Sequence, residues 1–124
     1  MRIIVAGGRK FDDYSLVCNE LDSYIRDKNN VEIVSGRAIG ADRLGERYAE
    51  EHGLPCAKFE AEWFKLGKRA GIVRNAQMAE YASQDIYGEG VLFAFWNGSS
   101  RGTKNMIEQA IAIGLEVHIV RYDE

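Results

Sequence analysis

Short, continuous apolar runs alternate along this chain with segments in which apolar residues recur every three or four positions. Continuous runs are typical of strands buried on both faces of a parallel sheet, and the spaced pattern is typical of helices with one buried face. The pattern predicts five strands, at Arg2–Ala6, Val31–Ser35, about Cys56–Phe59, Val91–Trp96 and Val117–Val120. Helices are predicted in the intervals between them.

Residues that begin or end helices lie where the pattern changes. Asp12 is the predicted N-cap of the first helix, and Gly53 and Gly114 are predicted ends of the second and last. Ser83 to Gly90 is polar and is predicted to be an exposed connection. Strands joined by helices of this length form right-handed crossovers. The expected fold is α/β, a Rossmann-like, doubly wound three-layer sandwich with a parallel sheet of about five strands, in one domain spanning residues 1–124.

Composition and charge exclude some function classes. A net charge of −3 over 124 residues argues against a general nucleic-acid binder. No apolar stretch approaches a membrane span and the N-terminus lacks a signal-peptide pattern, so we expect a cytoplasmic protein without a membrane partner. Cys18 and Cys56 lack metal-ligand spacing, and His52 and His118 are interpreted as structural. We therefore expect no metal site and no cofactor.

Glycine-rich loops follow the first, second and fourth predicted strands. The carboxyl ends of parallel strands lie at one edge of a sheet, and ligands bind there where the strand order reverses. The loop after the fourth strand adds hydroxyls and cations near a helix N-terminus, which favours an anion, most often a phosphate. Turns and N-caps alone are the alternative explanation for these residue types. The loops contribute the candidate ligand-binding residues Gly7, Gly8, Arg9, Ser35, Gly36, Arg37, Gly98, Ser99, Ser100, Gly102 and Thr103.

Two common nucleotide motifs are incomplete in these loops. The run from Gly7 to Phe11 does not complete the G-x-G-x-x-G fingerprint, so an ordinary NAD dehydrogenase is not expected. Between Gly98 and Lys104 the glycine spacing is one residue short of a P-loop, and Thr103 precedes the lysine instead of following it. An ATPase or GTPase is therefore disfavoured.

Five ordered motifs together resemble the YspA-like branch of the SLOG superfamily, which also includes the LOG phosphoribohydrolases and the Smf/DprA proteins. The motifs are Val5-Ala6-Gly7-Gly8-Arg9-x-Phe11, Val34-Ser35-Gly36-Arg37-Ala38-x-Gly40-Ala41-Asp42, Trp63, Arg74-Asn75-x-x-Met78 and Phe95-Trp96-x-Gly98-x-Ser100-x-Gly102-Thr103. The resemblance implies a domain of bacteria or phages that binds nucleotides or nucleotide-derived ligands such as ADP-ribose. It adds Arg74 and Asn75 to the candidate ligand contacts and implies a possible homo-oligomer.

The chain departs from the LOG enzymes, which cleave a nucleotide N-glycosidic bond. Arg74 matches their catalytic arginine, but Asn75 replaces the lysine beside it and Met106 stands at the catalytic glutamate. Glu108 is turned about 200° away along the helix, so it is a poor substitute. Asp42 is the remaining candidate carboxylate. It is equally interpretable as the N-cap of a helix beginning at Arg43.

Three hypotheses follow from the sequence. The first is a sensor or binding domain for a nucleotide-derived phosphate ligand. The second is a nucleotide N-glycosidic hydrolase or transferase with Asp42 and Arg74 as catalytic residues. The third is a DNA-binding module like DprA, which the acidic balance makes the least expected. Lys68 and Arg69 could form a cationic rim, and Trp63 or Trp96 could stack on a base, although aromatic residues are more often core.

Overall fold

Five parallel strands form one sheet in the computed structural model, which describes residues 1–84 and 90–123. Its spatial order is β3-β2-β1-β4-β5, and each neighbouring pair is parallel. The elements in chain order are β1 (Arg2–Gly7), α1 (Tyr14–Ile25), β2 (Glu32–Ser35), α2 (Ala41–Glu51), β3 (Cys56–Lys58), α3 (Trp63–Leu66), a 3₁₀ turn (Gly67–Arg69), α4 (Ala70–Ser83), β4 (Val91–Trp96), α5 (Arg101–Ile113) and β5 (Glu116–Arg121).

The sheet is buried on both faces because alternate residues of its central strands point in opposite directions. Ile3 and Val5 of β1 pack in the core cluster that includes residues of α1 and α2. Ile4 and Ala6 pack in a second cluster with residues of α4 and α5. Helices therefore cover both faces, which confirms the α/β three-layer fold and explains why the strand sequences are continuously apolar.

The strand order reverses between β1 and β4. β1 leads through α1 to β2 on one side, whereas the chain crosses from β3 to the other side to form β4 beside β1. Gly7, at the end of β1, pairs with Phe95, and a Cβ added to it would collide with the Phe95 carbonyl oxygen. Only glycine allows this approach, and it leaves a crevice at the carboxyl edge where the loops after β1, β2 and β4 meet.

Two predicted helix starts are wrong by one or two residues. Asp13 caps α1, since its Oδ1 accepts a hydrogen bond from the Leu16 amide at 3.0 Å, three residues on as N-cap geometry requires. Asp12 lies one residue too early for this. α2 begins at Ala41 with Gly40 as its N-cap, so Asp42 does not cap a helix beginning at Arg43.

The remaining differences are local. The segment after β3 forms two short elements, α3 and the 3₁₀ turn, before α4 begins. Within the predicted connection from Ser83 to Gly90, residues 85–89 lie outside the described residues. Among the helices in the described part of the chain, none is long and apolar enough to cross a membrane.

Two helical glycines give opposite predictions for substitution by alanine. A Cβ on Gly45 of α2 would lie 2.7 Å from the Val5 Cβ, whereas one on Gly102 of α5 would meet nothing within 4 Å. We expect Gly45→Ala to lower the free energy of unfolding by about 1–3 kcal/mol through overpacking. Gly102→Ala should be neutral or raise it by up to about 1 kcal/mol, because alanine favours the helix. Urea denaturation measures both, and a stabilised Gly45→Ala variant would contradict the close packing of α2 on β1.

Candidate functional site

A cleft of about 690 Å³ opens at the carboxyl edge of the sheet, among the first turns of α2, α4 and α5. Its volume lies in the range of small-molecule binding sites. Ten of the sequence-predicted site residues line it: Gly7, Arg9, Gly36, Arg37, Asp42, Arg74, Asn75, Ser100, Gly102 and Thr103. Gly8, Ser35, Gly98 and Ser99 are not among the lining residues, and their contact with a ligand stays a prediction.

The wall of the cleft is cationic although the whole chain is acidic. Among the described residues that line it, six side chains carry a positive charge and two carry a negative charge, against a net charge of −3 for the chain. The cationic residues are Arg9, Arg37, Arg43, Lys68, Arg74 and Arg101, and the acidic ones are Asp42 and Glu60. Such a local excess favours an anionic guest.

Arg74 crosses from α4 to the loop after β2. Its Nη1 donates to the Gly36 carbonyl at 2.6 Å, and its Nε donates to Asn75 Oδ1 at 3.1 Å. A Cβ on Gly36 would lie 2.7 Å from Asp42 Oδ2 and 2.9 Å from Arg74 Cδ. The absence of a side chain at Gly36 therefore lets the carboxylate and the arginine approach each other across the loop.

Burial and two neighbouring charges shift the pKa of Arg74. Burial lowers the pKa of Arg74, the Asp42 charge opposes that shift, and the positive charge of Arg9 adds to it. Arg9 and Arg74 are therefore close enough to repel each other. An anion between them would relieve that repulsion.

Asp42 lies in the first turn of α2 with only 4% of its surface exposed. Burial raises its pKa to about 6, although the Arg74 charge and hydrogen bonds from the Ala38 and Gly36 amides act in the opposite direction. The Ala38 amide lies 3.4 Å from Asp42 Oδ2. A carboxyl group that titrates near pH 6 can both hold and release a proton in the neutral range.

Ser35 and Arg37 form the framework of the loop after β2. Ser35 is fully buried; its hydroxyl donates to Glu46 Oε2 at 2.6 Å and accepts from the Arg37 amide at 3.0 Å. Arg37 has a positive φ of 66° and pairs with Glu46 at 2.8 Å and Glu60 at 3.5 Å. Two carboxylates thus offset its charge, so Arg37 offers less to a ligand than Arg9 or Arg74.

Several polar groups of the loop after β4 form hydrogen bonds within the loop and with the start of α5. Asn97 Oδ1 accepts from the Ser99 and Ser100 amides at 2.8 and 2.9 Å. Ser100 Oγ caps α5 by accepting from the Thr103 amide at 3.4 Å. The amides of Arg101 and Gly102 open the helix, where no intrahelical acceptor is available, and they lie beside the cleft. The N-terminus of α5 is therefore the more promising place for an anion than the turn before it.

Asn75 joins the two helices on this side of the cleft. Its Nδ2 donates to the Gly102 carbonyl at 3.3 Å and to Asn105 Oδ1 at 3.0 Å, while its Oδ1 accepts from Arg74. It is 5% exposed. These hydrogen bonds hold α4 against α5 and fix the position of the Arg74 side chain.

The sequence interpretation missed two apolar residues of the wall, Ile39 and Ile72. They are 71% and 53% exposed. Each had a signal in the sequence that could have indicated it. Ile72 is a large aliphatic residue off the buried stripe of α4, and Ile39 is one in a glycine-rich loop. Of the residues considered for other roles, Trp63 and Lys68 line the cleft. Met106 lies on its buried floor, and Glu108 is exposed on α5 outside it, as its helical position predicts.

Comparison with known proteins identifies the family of this chain. A model of the YspA, cpYpsA-related SLOG family matches residues 1–65. The chain belongs to this family. Gene 61 protein of Mycobacterium phage D29 is 30% identical over 122 residues, which cover 94% of this chain and 93% of that protein. No solved structure matches. Membership of the SLOG family confirms the resemblance and suggests a domain that binds or modifies nucleotide-related molecules.

Replacing Asp42 by asparagine tests its environment through pH-dependent stability. The folded protein holds the Asp42 proton more tightly than the unfolded chain, so this group lowers wild-type stability as pH rises from about 4 to about 6. Asp42→Asn should therefore be more stable than wild type at neutral pH, by up to about 3 kcal/mol, with the gap closing near pH 4. Denaturant titrations across this pH range measure the gap.

Asp12→Asn is the matched control, because Asp12 is exposed and lies outside the cleft. We expect its difference from wild type to stay small at every pH. A gap for Asp42→Asn that does not change with pH would show that Asp42 titrates as an ordinary carboxyl.

Proposed function

We propose that the cleft binds a nucleotide-derived ligand through its phosphate, which lies at the N-terminus of α5 and faces Arg9 and Arg74. The observation that carries this proposal is the cationic wall, with two arginines near enough to repel each other. The amides of Arg101 and Gly102 supply donors at the positive end of a 13-residue helix. SLOG membership supports a nucleotide-related ligand rather than another anion.

The position of the cleft also supports this assignment. It lies at the carboxyl ends of β1 and β2, beside the point where the strand order reverses. Nucleotides bind at this place in doubly wound sheets, where phosphates meet helix N-termini. A protein with this site and no further chemistry would act as a sensor or binding domain.

Arg9→Gln paired with Lys10→Gln tests the phosphate site. The two substitutions remove the same charge from adjacent exposed residues, but only Arg9 lines the cleft. We expect AMP or ADP-ribose to raise the melting temperature of wild type and of Lys10→Gln equally. Arg9→Gln should bind about tenfold or more weakly, because a charge-assisted hydrogen bond is lost.

Titration calorimetry gives the dissociation constants. If both substitutions weaken ligand binding equally, the effect comes from the general charge of the protein, and the proposed phosphate site is contradicted. Stabilisation by neither AMP, ADP-ribose nor NAD, with all proteins folded, would argue against a free nucleotide as ligand.

A second candidate function is hydrolysis of a nucleotide N-glycosidic bond. The observation that favours it is a buried carboxyl, Asp42, that titrates near pH 6 inside the cleft and faces Arg74. Protonated Asp42 could donate its proton to the departing base, which is the role of a general acid. Met106 on the floor offers no charge to stabilise the cationic sugar, so any activity should be weak.

Turnover of AMP to adenine and ribose 5-phosphate, followed by chromatography, tests this second function. If Asp42 is the acid, Asp42→Asn should lower the rate by about 100-fold or more, since general acids contribute that much. Glu108→Gln, an exposed position on α5 outside the cleft, should keep the wild-type rate. A fully active Asp42→Asn protein would exclude this mechanism.

A further inference from the structure

The lining of the cleft includes exposed apolar side chains that a phosphate does not explain. Trp63, Ile39 and Ile72 line the cleft, and they are 50%, 71% and 53% exposed. Large apolar side chains in the lining of a concave site gain free energy when a ligand covers them. A bare phosphate would leave these side chains in contact with water.

The indole of Trp63 lies close to the guanidinium of Arg74. Gly71, in the first turn of α4, is the point where they meet: a Cβ there would lie 3.5 Å from Trp63 Cη2 and 3.7 Å from Arg74 Nη2. The aromatic ring and the guanidinium therefore flank the same glycine. A ligand that contacts both must carry a planar apolar group and an anion only a few bonds apart, as a mononucleotide does.

The other tryptophan cannot take this role in the same way. Trp96 Nε1 donates to the Ser100 carbonyl at 3.1 Å, and Arg121 lies over its ring. Trp96 is not among the lining residues. It supports the turn that leads into α5. Among the described residues that line the cleft, Trp63 is the aromatic one.

We propose that Trp63 is a stacking platform for the base of the bound nucleotide, with Ile39 and Ile72 completing an apolar base subsite. This inference rests on the proposed phosphate site and adds the other end of the ligand. Stacking accepts any base, since every base has a π-face, and it gains with ring area. Purine nucleotides should therefore bind more tightly than pyrimidine nucleotides carrying the same phosphate.

Trp63→Leu and Phe64→Leu form a matched pair that tests the platform. Both residues lie on α3 and both are exposed, but Phe64 does not line the cleft. The probes are AMP, CMP, ribose 5-phosphate and inorganic phosphate, titrated by calorimetry. A third variant, Trp63→Phe, keeps a ring at the position, and a thermal melt checks that each variant is folded.

We expect wild type and Phe64→Leu to bind AMP at least tenfold more tightly than ribose 5-phosphate, with CMP between them. Trp63→Leu should bind AMP about 10- to 100-fold more weakly, near the level of ribose 5-phosphate, whose own affinity should not change. Trp63→Phe should recover part of the loss.

The outcomes separate the two proposals. Equal affinity of wild type for AMP and ribose 5-phosphate, or an unchanged affinity of Trp63→Leu for AMP, would overturn the base platform while leaving the phosphate site in place. Loss of ribose 5-phosphate binding together with AMP binding in Trp63→Leu would also overturn it, because the effect would then lie at the phosphate end. Binding of none of the four probes, with no binding of ADP-ribose or NAD either, would overturn both proposals.

Discussion

The pairing of β1 with β4 determines where every candidate functional group of this protein can lie. These strands are neighbours in space, although two strands and most of the helices separate them along the chain. Their close approach at Gly7 and Phe95 depends on glycine, and it leaves the loops on either side to diverge around one crevice. The arrangement of the strands thus determines the location of the candidate site, independently of the polar side chains that line it.

Within that crevice, charge and burial act against each other. The cationic wall attracts an anion, while the same partial burial weakens the hold of Arg74 and of Asp42 on their charges. The buried charge of Asp42 destabilises the folded state at neutral pH, and carboxyl groups with a pKa shifted in this way cluster at functional sites. Ser35, Arg37 and Glu46 serve the loop itself: Ser35 donates a hydrogen bond to Glu46, and Glu46 pairs with Arg37.

The strands, their parallel arrangement and the glycine loops could be predicted, because apolar periodicity and turn residues are local signals in the sequence. The hydrogen-bond partners of the polar groups inside the loops could not be predicted. Ser99 and Ser100 resemble anion ligands in sequence, yet Asn97 takes their amides, and Ser35 is directed to Glu46 eleven residues away. Ile39 and Ile72 could be recognised only once the fold placed them in the lining of the cleft, since exposed aliphatic residues are common and carry no signature of their own.

The bonds of Asn97 and Ser100 have a consequence for the thermodynamics of recognition. They fix the turn and the first turn of α5 without help from a ligand. A flexible loop would lose conformational entropy on closing around a phosphate, and that loss would be subtracted from the affinity. Folding has already ordered the loop, so the free energy of contact would be retained in the proposed phosphate complex, whose backbone should differ little from that of the empty form.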